Sequence, residues 1–353
     1  MKNSFKLLSR ILIIGIVLIS CNQNNISQNE NESKFTNLKG PYLGQTPPGD
    51  TPELFASGIV ADIFREHSSA AFTPDGEEVF WTRQGFFLNS DSSKSRLIVA
   101  MHMKQENGIW TQPELALFNM GMWTFIRQIS SDGKNLYFRS SRPVNKSDTI
   151  PETRTWVVNK TSKGWSEPSI VELPKFKEEY KFQAKAKSGN LYLRRRAPNT
   201  GISLALYRSK FIEGTYQEPE LLGESINSEY LDYGFYIDND EKFIIFSSQR
   251  PGGHSSIDLY ISYRQPDDSW SEAINLGEKI NAHGIDGSDW PYMSPDGKYL
   301  FFMTTMKPVA NIDKNQYTYD DLRKSQLSIT NADSKIHWVS ASFIEDLKPA
   351  HLR

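Results

Sequence analysis

Four carboxylates, Glu66, Asp232, Asp286 and Asp289, fall at positions from which a pair could do acid–base chemistry. Two carboxyl groups flanking a glycosidic bond, one as acid and one as nucleophile or base, hydrolyse it at separations of ~5–5.5 or ~6.5–9.5 Å. Interspersed with them are His67, Arg127, Lys181, Tyr233 and Trp290, a mixture of aromatic faces and positive charge that suits a glycan, a peptide or a partner protein. Other chemistries are absent from the sequence. There is no Gly-rich phosphate loop, no Walker motif and no Gly-x-Ser-x-Gly elbow. The six histidines, His67, His102, His254, His283, His337 and His351, show no i, i+4 ligand spacing and none lies near the single cysteine, so neither a metal nor a cofactor is expected. Asp238-Asn239-Asp240-Glu241 has the composition of a calcium loop, but it occupies the place of a turn in a repeated unit.

That repeated unit must position the candidate residues. Met293-Ser294-Pro295-Asp296-Gly297-Lys298-Tyr299-Leu300-Phe301-Phe302 is its clearest copy. Phe72-Thr73-Pro74-Asp75-Gly76 leads Val79-Phe80-Trp81, and Ile129-Ser130-Ser131-Asp132-Gly133 leads Leu136-Tyr137-Phe138. Worn copies run through Lys187-Ser188-Gly189-Asn190 and Asp238-Asn239-Asp240-Glu241. Aromatic and β-branched runs on either side of Pro-Asp-Gly read as β-hairpins, because Pro presets φ, Asp bonds the local backbone and Gly accepts φ > 0. The turn aspartates are therefore turn formers. Gly76, Gly133, Gly189, Glu241 and Gly297 stand 57, 56, 52 and 56 residues apart by subtraction. A third strand, an aromatic before Pro or Ala (Trp110, Trp165, Tyr216, Trp270) and a fourth strand follow each hairpin. Four antiparallel strands per unit make a propeller blade. The reading is an all-β, five-bladed propeller, with six blades as the alternative. Blade five lacks its fourth strand, and Thr51-Pro52-Glu53-Leu54-Phe55-Ala56 matches the missing piece, so the N-terminal strand is expected to close the ring.

In such a ring the innermost strands begin at one mouth of the central channel. Glu66-His67-Ser68, Phe125-Ile126-Arg127, Tyr180-Lys181-Phe182, Asp232-Tyr233 and the stretch from Asp286 to Trp290 converge there, with acids on one side and Arg127 and Lys181 opposite. Gly223-Glu224-Ser225-Ile226-Asn227 and Gly277-Glu278-Lys279-Ile280-Asn281 are parallel lead-ins to Asp232 and Asp286, whose structural reading is as turn-backbone acceptors. Leu193-Arg194-Arg195-Arg196 reads as a solvated strand end, with an anion or sulfated-glycan site as the alternative. Arg142-Pro143 and Arg250-Pro251 read as ion pairs or backbone clamps. The polar insertion Lys307–Ser334 is long enough to cap one face.

The Ser-Pro-Asp-Gly-Lys unit, together with Ser247-Ser248-Gln249-Arg250-Pro251-Gly252-Gly253 and Ile257-Asp258-Leu259-Tyr260, resembles the WD40-like (PD40) propeller repeat of TolB-like bacterial lipoproteins and periplasmic proteins, over roughly Pro52 to Leu347. That resemblance implies a propeller that serves as a binding or scaffold module for a glycan, peptide or envelope protein; a glycosidase-like enzyme is the alternative.

Residues 1–20 read as a lipoprotein signal peptide. Lys2, Lys6 and Arg10 precede the apolar run Ile11–Ile19, too short to span a bilayer, and Leu18-Ile19-Ser20-Cys21 matches a lipobox. Cys21 is the expected lipidation site, a palmitate-type membrane anchor, and residues 21–39, rich in Asn, Gln, Ser and Glu, the expected flexible tether. The remaining residues, 40–353, form one domain, expected to be monomeric in the cell envelope, on the periplasmic face of the outer membrane or the cell surface. A net charge of −2 with 23% charged residues argues against a nucleic-acid partner.

Overall fold

The structure is a computed structural model that describes residues 38–88, 94–120, 123–145, 152–196, 204–305 and 318–353. The signal segment, Cys21 and the tether as far as residue 37 lie outside the described residues. The last residues assigned to the tether do not. Lys39 bridges to Ile109, and the Leu38 carbonyl accepts the Trp110 amide, so the N-terminal approach is already fixed on blade one there.

Each Pro-Asp-Gly unit is a hairpin turn. Gly76, Gly133, Gly189 and Gly297 have φ between 69° and 93°. The turn aspartates are spent locally. Asp75, Asp132 and Asp296 accept from the hydroxyls of Thr73, Ser130 and Ser294 and from the amides of Glu77, Lys134 and Lys298. Asp238, read as a calcium-loop look-alike, likewise accepts the amides of Asp240 and Lys242.

The hairpins build five antiparallel blades. Their innermost strands are Arg65–Phe72, Thr124–Ile129, Lys181–Lys185, Asp232–Ile237 and Ser288–Met293. Second strands return as Glu78–Leu88, Asn135–Ser140, Leu191–Arg195, Phe243–Ser248 and Tyr299–Thr305. Third strands are Lys94–Glu106, Arg154–Thr161, Ala205–Ser209, Asp258–Tyr263 and Ser334–Ser340. Short outer strands such as Glu114–Leu115 and Glu220–Leu221 complete the blades. Blade five takes its outer strand from the N-terminus, with Glu53 opposite Trp338 and Leu54 opposite His337. Among the described residues the strands fall into five blades, apart from the short hairpin of Phe211–Ile212 with Thr215–Tyr216, and the six-blade alternative is excluded. Phe55, fully buried beside that closing strand, packs edge-on against Phe72, Phe301 and Trp338, at ring separations of 5.9, 5.0 and 5.3 Å. Burying such side chains between neighbouring blades supplies the hydrophobic term that holds the ring.

The lead-ins have a physical function visible only in three dimensions. The Asn227 side chain accepts the Leu206 amide and donates to the Leu206 and Leu222 carbonyls. Asn281 repeats this on Leu259, and Asn119 repeats it on Ala100 and Ala116. A side-chain amide thus staples three of the connectors to the third strand behind them. Within the long insertion, the described part holds a helix over Tyr319–Leu327, capped by Thr318 and Asp321. A one-turn helix over Phe343–Asp346 follows the last strand. Among the described residues no helix is long and apolar enough to cross a membrane.

Candidate functional site

Each innermost strand carries a β-bulge just inside the mouth, between Glu66 and Ser68, Ile126 and Gln128, Phe182 and Ala184, Tyr233 and Tyr236, and Asp289 and Tyr292. A bulge re-aims the side chains next to it. The sharpest case is Trp290, whose φ of 51° places a bulky residue in the left-handed region. It is held there because its amide donates to Asp289 Oδ1 at 2.6 Å and its carbonyl accepts the Ser69 hydroxyl.

The indole consequently lies across the mouth. Arg127 of blade two sits over the ring at 5.2 Å, and the rings of His67 and Tyr233 lie 6.5 and 6.4 Å away. His67 also meets Phe125 at 5.0 Å. Of the expected binding residues, His67, Arg127, Tyr233 and Trp290 therefore form one constellation drawn from four blades. Lys181 stands apart at the exposed rim. Burial, reinforced by Arg96, Arg65 and Arg127, lowers the His67 pKa to about 4, so its imidazole is neutral at physiological pH.

Beneath Trp290 the channel narrows to a cavity of about 90 Å³, lined by Arg127, Gln128, Gln183, Tyr236 and Tyr292 among others. Its walls are tied between blades. Gln128 exchanges two hydrogen bonds with the Lys185 backbone, Gln183 donates to the Phe235 carbonyl, and Tyr292 accepts the Ile129 amide. The chamber is far smaller than the ~300–1,000 Å³ of small-molecule pockets.

The four candidate acids do not converge on it. Glu66 is fully buried, pairs with Arg83 at 3.4 Å, and leaves Oε2 without a partner. Burial pushes its pKa up to about 8 against the opposing pull of Arg83 and Lys335. Asp232 accepts the amide and hydroxyl of Ser228, both at 2.7 Å, and meets Arg250 at 3.4 Å. This is the turn-acceptor role expected of it. Asp286 is exposed, and its carbonyl accepts the Ser256 hydroxyl. Asp289 accepts the Ser247 hydroxyl at 2.6 Å and the Trp290 amide. Burial raises it to about 6, although bonds from Ser247, Trp290 and Tyr233 oppose the rise. Asp289 thus props the Trp290 bend and the Tyr233 hydroxyl, which burial first and then the Asp289 charge push above the ordinary range. Arg142 and Arg250 act as clamps. Arg250 donates to the Ile226 carbonyl at 3.2 Å, and Arg142 reaches the Phe118 carbonyl and lies over Trp156 at 5.0 Å.

Sequence reasoning did not find the apolar character of the mouth face. Ile63, Phe64, Phe86, Tyr230, Leu231 and Ile285 are all exposed there, from 38% to 57%. They sit in the connectors just ahead of the inner strands, or at the tip of the long blade-one hairpin Glu78–Glu106. The signal was present as paired hydrophobics, Ile63-Phe64 and Tyr230-Leu231, immediately before inner strands.

No family model and no curated protein matches this chain. Among solved structures it is similar to an α-L-arabinofuranosidase from Lactobacillus brevis, at 12% identity and a TM-score of 0.42, covering 81% of this chain and 92% of that one. A protein of unknown function from Dyadobacter fermentans gives 12% identity and a TM-score of 0.40, over 76% of this chain and 74% of that one. A post-proline cleaving enzyme from Rickettsia typhi gives 13% identity and a TM-score of 0.32, and the chain spans 38% of its length.

Proposed function

We propose that this chain is a protein-binding module of the bacterial cell envelope, akin to the TolB-like propellers. It would be carried on a membrane by lipid at Cys21 and would dock a partner on the mouth face of the ring. The observation that carries this reading is the set of exposed apolar side chains at Ile63, Phe64, Phe86, Tyr230, Leu231 and Ile285, spread over three blades. Exposed apolar groups of this breadth mark protein contact surfaces. A sugar-binding site would instead present an open aromatic plate, and the Trp290 ring is covered by Arg127. A glycosidase would need two free carboxylates facing an open cleft, and Glu66, Asp232 and Asp289 are each committed to local partners.

Two experiments test the reading. Cys21→Ser should move the protein from the membrane fraction to the soluble fraction. Leu231→Ser combined with Ile285→Ser should abolish cross-linking to an envelope partner while leaving the melting temperature unchanged. A glycan-array signal on the wild type, insensitive to that double substitution and accompanied by no cross-linked partner, would refute protein docking.

A further inference from the structure

Blades two and three depart from the repeat at one position. The second-strand residue that follows Leu136-Tyr137-Phe138 is Arg139, and the one that follows Leu191-Tyr192-Leu193 is Arg194. The equivalent residues elsewhere are uncharged: Thr82, Ser247 and Met303. Their contacts show where this position points. The Thr82 hydroxyl meets Ser68 of the channel wall at 2.5 Å, and the Ser247 hydroxyl reaches Asp289 at the mouth. Arg139 and Arg194 stand opposite the mouth residues Phe125 and Lys181 in the same register. Arg127, on the inner strand of blade two, two residues beyond Phe125, lies close enough for the charges of Arg139 and Arg194 to act on it.

Several other arginines around the ring are paired with carboxylates. Arg83 pairs with Glu66, Arg195 with Glu178, Arg208 and Arg264 with Asp268, and Arg250 with Asp232. Among the described residues, no carboxylate lies within ion-pair distance of Arg127, Arg139 or Arg194. Glu152, Glu172 and Glu179 line the groove beside Arg139 without reaching it, and Glu152 pairs with Arg154 at 3.8 Å. Nε of Arg127 and Nε of Arg194 are buried and have no hydrogen-bond partner. Burial first, and then the neighbouring guanidinium charges, lower the pKa of both Arg127 and Arg194. Each of the three is only partly covered, and Arg127 lines the channel. Like charges gathered out of bulk water with unused donors are costly unless an anion joins them. A guanidinium fork matches the paired oxygens of a carboxylate, sulfate or phosphate.

We infer that the mouth between blades two and three is an oxyanion-binding site in which Arg127, Arg139 and Arg194 grip a carboxylate, sulfate or phosphate group. The inference deepens the reading of the mouth face as a binding surface, because it gives the ligand or docked partner a required negative group across the mouth from its apolar contact. Inorganic sulfate, phosphate and acetate are the probes, titrated into the full chain at constant ionic strength against chloride. Sulfate should raise the melting temperature and give a saturable heat of binding. Arg139→Gln and Arg194→Gln should each weaken that binding about tenfold or more, the loss typical of one charge-assisted hydrogen bond. If either variant fails to fold, phenylglyoxal labelling of the wild type read by mass spectrometry replaces it, with sulfate protecting Arg139 and Arg194 but not the rim residue Arg196. A wild type indifferent to all three anions, or an equal sulfate response in the double variant, overturns the site. Sulfate binding that persists while Leu231→Ser with Ile285→Ser has no effect on partner capture would refute the docking face and leave the anion site standing. The reverse pattern would do the opposite.

Discussion

Glu241 offers the sharpest test of how the repeat tolerates a worn copy. It occupies the turn position that Gly76, Gly133, Gly189 and Gly297 fill elsewhere, and it has φ of 59°, which costs a non-glycine residue about 1–2 kcal/mol. Its carboxylate offsets this by accepting Ser188 Oγ at 2.7 Å, Asn190 Nδ2 at 3.0 Å and Tyr192 Oη at 2.7 Å, in a site where Glu241 is 2% exposed. Glu241→Ala keeps the backbone strain and strands the buried Tyr192 hydroxyl and Asn190 amide, at about 1–3 kcal/mol each. Ser188 is exposed and regains water, and Arg264 retains Asp268. The expected loss is therefore about 4 kcal/mol. Glu241→Gly strands the same groups but relieves the strain, partly offset by the extra freedom of the unfolded chain, so it should cost about 0.5–1 kcal/mol less than alanine. Equilibrium urea denaturation of both variants reads these values. A loss under about 1 kcal/mol for alanine, or a glycine variant weaker than alanine, would refute the reasoning. The pH dependence adds a sign. Burial alone would raise this carboxyl, but the bonds from Ser188, Asn190 and Tyr192 outweigh it and set the group below its usual value of 4.5. The stabilisation is complete above that value and fades as pH falls through the lowered one, so wild type and Glu241→Ala should converge in acid.

Other outcomes follow from the same geometry. Asp289, raised from 3.8 to about 6, carries its charge at a cost in the folded state, so its penalty grows as pH rises from about 4 to 6. Asp289→Asn should therefore be about 1–2 kcal/mol more stable than wild type at pH 7.5, discounted from the full shift for its partial solvation, with the gain vanishing towards pH 4 in paired urea titrations. Phe55→Ala, which empties the space beside the closing strand, should cost about 3–5 kcal/mol in the same assay. Asn281→Ala should cost about 2–4 kcal/mol by orphaning the Leu259 amide and carbonyl, with early amide exchange at Leu259 by hydrogen-exchange mass spectrometry.

Much of the ring was legible because its signals are local. Pro-Asp-Gly dictates a turn wherever it occurs, and Leu300-Phe301-Phe302 can only be a buried strand once that turn is placed. The match between Pro52-Glu53-Leu54 and Pro113-Glu114-Leu115 was enough to foresee the closure. The mouth was legible as a set of positions but not as chemistry. The Asp289 carboxylate braces the amide of its own neighbour Trp290, but nothing local says that the bulge will bend the chain that way, or that Trp290 then reaches across to Arg127 on a strand far away in sequence. Arg139 was passed over because a single arginine in a strand looks solvated. That it has no ion pair among the described residues depends on the strands packed around it, not on its neighbours in sequence.

The closing strand also fixes an order of events. Glu53 and Leu54 are made early but pair with residues at the far end of the chain, so blade five cannot finish until the last strand is released from the ribosome. Until then Phe55, Phe301 and Trp338 lack one another, and the growing ring is an open arc with two raw edges. A chain cut short anywhere before Trp338 would leave both edges bare. A pull on the N-terminus meets the Leu38 and Lys39 contacts on blade one first and the two-residue seam next, so mechanical unfolding from that end should strip residues 38–40 from Ile109 and Trp110 and then unzip blade five.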